Sequence, residues 1–178
     1  MPLIIQEGVN LYIGDNPPNN SKHLNLESVR IPDLEDMTQS FHPGGSVGQI
    51  EVGGMGLKAL ELTFKLKGWD PQAMSQFGVG SPQQIPYTIY GVARDKNGNV
   101  PIEVKAIVRG RMVKLTADEI KRGDLMGHDF AIKEILHYEF YYAQAEKYYY
   151  DFLAVTWRVD GVSQNSVENG ILRIPTSN

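Results

Sequence analysis

The chain has 178 residues, no cysteine and a formal net charge of −4 at pH 7, which suits one soluble domain over residues 1–178 with a substantial core. The missing cysteine excludes disulfides, thiol catalysis and cysteine-ligated zinc, and the acidic balance argues against a general nucleic-acid-binding protein. No apolar run reaches the roughly 18 residues of a membrane helix and the N-terminus lacks a basic signal-peptide region, so we expect cytoplasmic synthesis and no membrane insertion of the subunit.

Two short strands are predicted near the N-terminus. Apolar and polar residues alternate over residues 9–13 and 24–31, which is the period-two pattern of half-buried strands. Residues 15–22 lie between them and are rich in proline and asparagine, which predicts a loop.

A glycine-rich segment follows these strands. It contains Gly44, Gly45, Gly48, Gly53, Gly54 and Gly56, interspersed with Val47, Ile50, Val52 and Met55. One interpretation is a flexible connection. The other is an extended arm over residues 37–56 that leaves the domain and packs against another surface, because a surface loop is usually more polar than this.

The strand over residues 60–66 has the clearest pattern in the chain. One face carries Leu60, Leu62, Phe64 and Leu66, and the other carries Glu61, Thr63, Lys65 and Lys67. A slip of one residue would expose four apolar side chains, so the register is well specified. A helix over residues 70–77 is predicted next, with Asp70 as its N-cap, Pro71 in its first turn and Gly78 closing it in the left-handed conformation.

The second half of the chain is predicted to form long strands. Residues 86–94 and 102–114 form a hairpin around Asn97 and Gly98, a pair that suits the positive φ angles of a tight turn. Two more strands are predicted over residues 130–142 and 148–159, connected by residues 144–147.

A single helical turn is predicted from Thr116, with Glu119 completing a capping box and Gly123 ending it. Strands still outnumber helices heavily. The predicted fold is therefore mainly β, with one helix docked on its flank.

Patterns that are typical of catalysis or ligand binding are incomplete. Residues 44–48 lack the Lys-Ser/Thr ending of a phosphate-binding loop, and residues 95–99 do not fit the spacing of a calcium loop. The histidines are dispersed, and no serine stands in a nucleophile elbow. We therefore expect no enzyme, no cofactor and no metal.

Aromatic residues are concentrated towards the C-terminus. They are Tyr138, Phe140, Tyr141, Tyr142, Tyr148, Tyr149, Tyr150, Phe152 and Trp157. Such rings can stack against sugars or bases, fill a subunit interface, or pack across neighbouring strands. The sequence leaves all three interpretations open.

Four motifs occur in a characteristic order. They are Asn10-Leu-Tyr-Ile-Gly14, Glu27-Ser-Val-Arg-Ile-Pro-Asp-Leu34, His42-Pro-Gly-Gly-Ser-Val-Gly48 and Val108-Arg109-Gly110-Arg111. In this order they resemble the major tail tube protein of contractile-tailed phages and R-type pyocins. The resemblance covers most of the chain, while the Pro17-Pro18 loop and residues 163–178 depart from it.

The resemblance implies a β-sandwich or small barrel with one flanking α-helix, assembling into hexameric rings with a shared inner β-barrel. Such rings stack into a hollow tube inside a contractile sheath, for DNA passage or, in a pyocin-like particle, membrane puncture. The implied partners are further copies of the chain, the tail sheath, the baseplate and the tail terminator, with DNA passing transiently and without specific binding. The implied location is the virion tail, assembled in the host bacterial cytoplasm.

On this interpretation, two sets of residues are candidates for contacts. Candidates for the subunit interface are Gly44, Gly45, Val47, Ile50, Met55, Arg109, Arg111, Tyr141 and Tyr142. Candidates for the lumen, or for salt bridges between subunits, are Glu61, Lys65, Lys67, Glu103 and Lys105. The alternatives are a tube protein of a type VI secretion system and a sugar-binding β-sandwich module.

Overall fold

Antiparallel strands make up most of the fold. The computed structural model describes residues 3–15, 17–80 and 83–175. The strands are β1 (Ile4–Ile13), β2 (Leu26–Arg30), β3 (Gln39–Phe41), β4 (Ile50–Val52), β5 (Leu62–Lys67), β6 (Ile85–Asp95), β7 (Val100–Ala117), β8 (Gly127–Tyr142), β9 (Ala145–Asp151), β10 (Thr156–Val159) and β11 (Val162–Ser163). The α-helices are α1 (Pro71–Met74) and α2 (Ser166–Ile171), and a 3-10 turn covers Pro18–Asn20. The prediction of a mainly β fold is confirmed.

Nine of the strands form one antiparallel sheet, and β3 and β4 form a separate sheet of two. In the large sheet the order is β1-β6-β7-β8-β9-β10-β11, while β5 pairs with β8 and β2 pairs with β5. Strand β8 forks: its first half, to Ile132, pairs with β5, and its second half, from His137, pairs with β9. The fork allows the sheet to fold over on itself.

The core lies inside this folded sheet. Strand β2 also contacts β1. One apolar cluster is therefore surrounded by six strands, which are β1, β6, β7, β8, β5 and β2. Its largest buried members include Leu11, Leu62, Phe64, Leu66, Tyr87, Met112, Phe130, Ile132 and Tyr138. Phe64 of β5 stacks on Phe130 of β8 with ring centroids 4.8 Å apart. The predicted inward face of the strand after residue 60 is therefore confirmed, although regular pairing begins at Leu62.

Strands β7 and β8 bend where β8 changes partner. The register shifts between Arg109 and Arg111, and Glu134 adopts a φ of 52°. Gly110 is required at this bend because an added Cβ would lie 2.8 Å from the Ile132 side chain and 3.0 Å from the Lys133 carbonyl oxygen. The glycine lets the two long strands cross closely, which is a common role of glycine at β-bulges.

The C-terminal strand predictions are partly wrong. The strand predicted over residues 148–159 is two strands, β9 and β10, because residues 152–155 form a turn with Val155 at a φ of 48°. The predicted connection over residues 144–147 is shorter: Ala143 and Gln144 alone form the turn, both left-handed. This matches a two-residue hairpin of the type that needs positive φ at both positions, so residues 145–147 pair within β9.

Three local predictions also need correction. No helical turn starts at Thr116, because β7 continues to Ala117 and Thr116 pairs within the sheet. Gly123 does have a left-handed conformation, but it lies in a turn that follows the strand and does not end a helix. Helix α1 ends at Met74, and the left-handed glycine after it is Gly80 rather than Gly78. At the β6–β7 turn, Asn99 has the positive φ rather than Asn97 or Gly98. Helix α2 was not predicted.

Candidate functional site

Residues 37–56, the predicted arm, contain a hairpin whose two strands lie outside the large sheet. Strands β3 and β4 pair only with each other in the described part of the chain. At the base, the Met37 N–H donates to the Gly56 carbonyl at 2.7 Å, and the Lys58 N–H donates to the Glu35 carbonyl at 2.8 Å. The two strands of the arm therefore remain paired down to its base.

Glycines and one carboxylate shape the base of the arm. The Gly54 N–H donates to Asp36 Oδ2 at 2.6 Å, with Gly54 at a φ of +80°. A Cβ on Gly53 would lie 2.6 Å from the same oxygen. The backbone geometry therefore requires glycine at positions 53 and 54. Gly44 and Gly45, at the tip, have open space around them and no such requirement.

The arm has one apolar and one polar face. Directly opposite residues of a hairpin point to the same side, and neighbours along a strand point to opposite sides. Phe41 therefore shares a face with its partner Ile50, as Val52 does with Gln39, while Ser40 and Glu51 point the other way. Phe41, Ile50 and Val52 are 55%, 56% and 40% exposed, so the described residues leave this apolar face largely open to solvent.

Val47 and Met55, the other apolar candidates of the arm, are also exposed. Val47 lies in the tip, which is braced by a hydrogen bond from the Ser46 hydroxyl to the Gly48 carbonyl. Every apolar interface candidate proposed for the arm thus stands in solvent in the single subunit.

Arg109 and Arg111 flank the glycine at the bend of β7. The Arg111 guanidinium lies 3.0 Å from the Glu134 carboxylate of β8, so its partner is within the subunit. Arg109 is exposed, pairs in register with His137 across the sheet and borders a concavity that also includes Leu136, Asp151 and Leu153.

A polar network covers the outer face of β7, β8 and β9. His137 lies between two carboxylates: its Nε2 is 2.8 Å from Glu139 Oε1 and its Nδ1 is 3.1 Å from Asp151 Oδ2. The Tyr141 hydroxyl donates to the other oxygen of Glu139 at 2.8 Å. The Lys105 ammonium stands over the Tyr141 ring, 5.8 Å from its centroid. Interface and lumen candidates therefore meet on this face.

The pKa values in this network shift because its members bond to one another. The hydrogen bond to Glu139 is the main cause that raises the pKa of His137, with Asp151 adding to it against the effect of burial. The same bond to His137 lowers the pKa of Glu139. Burial and the bond to Glu139 raise the pKa of the Tyr141 phenol to about 12. Opposite charges thus compensate one another within the face.

The charged face of β5 lies at the opposite end of β8 from Glu103 and Lys105. Lys65 Nζ is 3.0 Å from the Asp118 carboxylate, and Lys67 Nζ is 3.4 Å from that of Glu27. Glu61 pairs with Lys133 at 3.7 Å. These lumen or salt-bridge candidates all have partners within the subunit, and they are not brought together with the β7 pair.

The aromatic residues divide between the two sides of the sheet. Tyr138 is buried in the core, and Phe140, Tyr148 and Tyr150 pack against it. On the outer side, the Arg158 guanidinium covers the Tyr149 ring at 3.7 Å. Tyr142, at the end of β8, has a buried hydroxyl with no hydrogen-bond partner among the described residues. Four of the nine aromatic residues therefore serve packing across neighbouring strands.

A buried ion pair went unnoticed in the sequence. Lys22 and Asp70 have side chains only 5% and 9% exposed, and their closest charged atoms are 2.8 Å apart. Asp70 Oδ1 also accepts from the Ala73 N–H, as an N-cap should. The cap role of Asp70 was predicted, but a lysine 48 residues earlier in a polar loop gives no sequence signal of burial.

Within residues 3–15, 17–80 and 83–175, no helix is long and apolar enough to span a membrane. The same residues contain no group of three or more His, Asp and Glu side chains placed to hold a metal ion.

Comparisons with known proteins agree with this architecture. The sequence matches the family described as phage tail tube protein FII over residues 7–167, whereas no curated protein matches it. A chain of the sheath–tube complex of an extracellular contractile injection system in the extended state has a similar structure, with a TM-score of 0.50 and 12% identity over 70% of this chain and 82% of that one. A chain of the sheath/tube terminator of such a system gives a TM-score of 0.49, 12% identity, and coverage of 71% and 88%. At this identity the first likeness shows the fold alone. The family match spans most of the chain, and the protein therefore belongs to the phage tail tube protein family.

Proposed function

We propose that this tail-tube subunit forms hexameric rings that stack into the hollow inner tube of a contractile tail. A ring of this kind needs a head-to-tail interface that closes by rotation, and stacking the rings gives a filament. In a phage the tube passes DNA, and in a pyocin-like particle it punctures a membrane. The subunit acts by assembly and not by catalysis.

The exposed apolar face of the arm carries this proposal. A two-stranded hairpin is marginally stable by itself in water, and here Phe41, Ile50 and Val52 remain largely exposed. Burying each such side chain would contribute roughly 1.5–3 kcal/mol. We infer that the arm over residues 37–56 docks on another subunit, in the same ring or the next, and becomes fully ordered only on assembly.

The compensated charges on the strands suit a passage for DNA. A lumen that presented many unpaired lysines would bind phosphates and hold the DNA, because each neutralised phosphate adds to affinity. Lys65 and Lys67 are instead paired with Asp118 and Glu27. We propose that either this face or the face with Glu103 and Lys105 lines the lumen.

Assembly would bring further partners. The similar structure with a TM-score of 0.50 is a chain of a sheath–tube complex, and we propose a sheath, a baseplate and a tail terminator as partners of this chain. We also propose that the tail assembles in the cytoplasm of the host bacterium. A tube of a type VI secretion system would share the architecture, but the match to the phage family favours the tail.

The experiment compares assembly of the full-length protein with that of an arm variant. Negative-stain electron microscopy and light scattering are recorded over a concentration series for the wild type, for Phe41→Ser with Ile50→Ser, and for Ser40→Ala on the opposite face. Losing two buried side chains should raise the concentration needed for assembly by roughly a hundredfold or more, since each 1.4 kcal/mol is a factor of ten.

The three proteins should unfold at the same urea concentration, because Phe41 and Ile50 are exposed and lie outside the buried core cluster. Rings or tubes in the wild type and in Ser40→Ala, but not in the double variant, would support the proposal. Equal assembly by all three would contradict the role of the arm. If the wild type shows no rings or tubes at any concentration while it remains folded, self-assembly without a nucleating baseplate is refuted.

A further inference from the structure

An open seam lies between β1 and β2. Strand β1 pairs with β6 and β2 pairs with β5, but the two strands do not pair with each other in the described part of the chain. Each strand therefore has one edge without a partner strand. Such an edge is a place where an extended segment of another chain can add through main-chain hydrogen bonds.

An apolar groove lies along this seam. It is lined by Val9 of β1, Val29 of β2, Val104 of β7 and Phe140 of β8, and Gln6 is its one lining residue that is neither apolar nor glycine. The groove has a volume of about 240 Å³, below the roughly 300–1,000 Å³ of typical small-molecule sites. It therefore suits one or two apolar side chains of a protein segment better than a free ligand.

The arm over residues 37–56 offers side chains of this kind. Phe41, Ile50 and Val52 form its exposed apolar face, on which Gln39 is the polar member. Neither this face nor the groove carries a charged side chain, so docking would bury no unpaired charge. Strands β3 and β4 pair only with each other among the described residues, so each also has a free edge. The arm thus matches the groove both in its side chains and in its backbone edges.

The groove is not filled by the arm of its own subunit. No residue of the arm lines it, and Phe41 and Ile50 are both more than half exposed. Main-chain hydrogen bonds at Glu35 and Met37 fix the base of the arm, in a position that leaves the groove of the same subunit open. The segment that fills the groove must therefore come from a second copy.

We propose that the groove between β1 and β2 is the receptor for the apolar face of the arm of a second copy. The inference rests on the proposed docking of the arm on another subunit, and it identifies the surface on which the arm docks. Because arm and groove are different surfaces of one chain, the contact is heterologous, and its repetition gives a ring or a filament. A reciprocal exchange of arms between two copies gives a closed dimer instead.

The chain contains no cysteine, so a pair of introduced cysteines can test the contact by cross-linking. One full-length protein carries Gln39→Cys on the apolar face of the arm, and a second carries Gln6→Cys in the groove. Both substitutions leave the apolar side chains of the contact in place. The two proteins are mixed at concentrations that allow assembly and treated with a short bis-maleimide, and the joined peptides are identified by mass spectrometry.

Two matched controls carry the cysteine on the opposite face of the same strand. Ser40→Cys replaces Gln39→Cys on the arm. Val92→Cys replaces Gln6→Cys on the domain: Val92 is 45% exposed and follows Gly91, a lining residue of the groove, and neighbours along a strand point to opposite faces. We expect the pair at positions 39 and 6 to cross-link at least about ten times faster than either control pair, because docking raises the effective concentration of the two thiols. Urea unfolding checks that every variant is folded.

The size of the cross-linked assembly, measured by light scattering and electron microscopy, separates the receptor from the ring. Fast cross-linking between positions 39 and 6 in rings or tubes would support both. The same cross-link in closed dimers would support the receptor and refute the ring. Rings or tubes in which this pair cross-links no faster than the controls would overturn the inference and leave the proposed assembly intact. Folded proteins that stay monomeric would overturn the inference together with self-assembly.

Discussion

Replacing Lys22 by methionine tests whether the buried ion pair holds the N-terminal loop against α1. Lys22 Nζ contacts both oxygens of Asp70, at 3.1 and 2.8 Å, and the Gln72 side-chain oxygen at 3.0 Å. Methionine keeps an apolar stem of similar length but removes the charge. The Asp70 carboxylate would then remain buried with only the Asn25 amide and the Ala73 N–H as donors.

The expected loss in the free energy of unfolding is about 3 kcal/mol. Removing one partner of a buried ion pair typically costs about 3–5 kcal/mol, and the two remaining donors of Asp70 place this case at the lower end. For a domain of this size, each kcal/mol lowers Tm by about 2–4 °C, so we expect a fall of about 6–12 °C. Lys22→Met combined with Asp70→Asn should be closer to the wild type, because no unpaired charge remains and asparagine still caps the helix.

The measurement is urea unfolding at a concentration where light scattering reports monomers, followed by tryptophan fluorescence. Trp69 precedes Asp70 in the chain and packs 4.9 Å from the His128 ring, so its signal reports this region. The exposed pair Lys58–Glu35, whose side chains are 49% and 65% exposed, is the control. Lys58→Met should cost no more than about 1 kcal/mol.

The pH dependence provides an independent check. Burial opposes ionisation of Asp70, but hydrogen bonds from Lys22, Ala73 and Asn25 outweigh it and hold its pKa below 3.8. The pair therefore stabilises the fold above the unfolded pKa, and this stability is lost as pH falls through the lower folded value. The penalty of Lys22→Met should shrink in acid. A penalty equal to that of Lys58→Met at neutral pH would refute the reasoning.

Two further variants have defined outcomes. Gly110→Ala should destabilise the fold by about 1–3 kcal/mol in urea unfolding, because its Cβ would press on β8 at 2.8 Å, while Gly44→Ala should be neutral; equal midpoints would contradict the close crossing of the strands. His137→Gln should cost stability below pH 6.5, the ordinary pKa of histidine, and the cost should vanish as pH rises through its raised folded value. The cost should also fall in strong acid, once Glu139 and Asp151 are protonated. If wild type and variant differed in stability by the same amount from pH 5 to pH 9, the ion pairs of His137 with Glu139 and Asp151 would be disproved as its source.

Local patterns in the sequence were sufficient for the regular parts of the fold. The alternation of Leu62, Phe64 and Leu66 with lysines determines which face of β5 is buried, because a strand has only two faces. Asp70 followed by Pro71 determined where α1 begins, since both residues suit a helix start for local reasons. The glycine-rich segment indicated an unusual loop with apolar residues, and the order of motifs indicated the tail tube family.

Only the tertiary structure decided how these parts are arranged. The fork of β8 depends on its pairing with β5, whose residues lie 60 to 70 positions away in the sequence, and no local pattern encodes which half of β8 makes that pairing. The split between β9 and β10 arises because left-handed Val155 belongs to a turn, a conformation that valine does not favour and that its sequence context does not reveal. The sequence alone indicates that Lys22 is a surface residue, and only the fold brings Asp70 and Gln72 into contact with it. The apolar face of the arm likewise depends on the register of β3 with β4. That register is set by pairing across the hairpin, and the spacing of residues along the chain does not specify it.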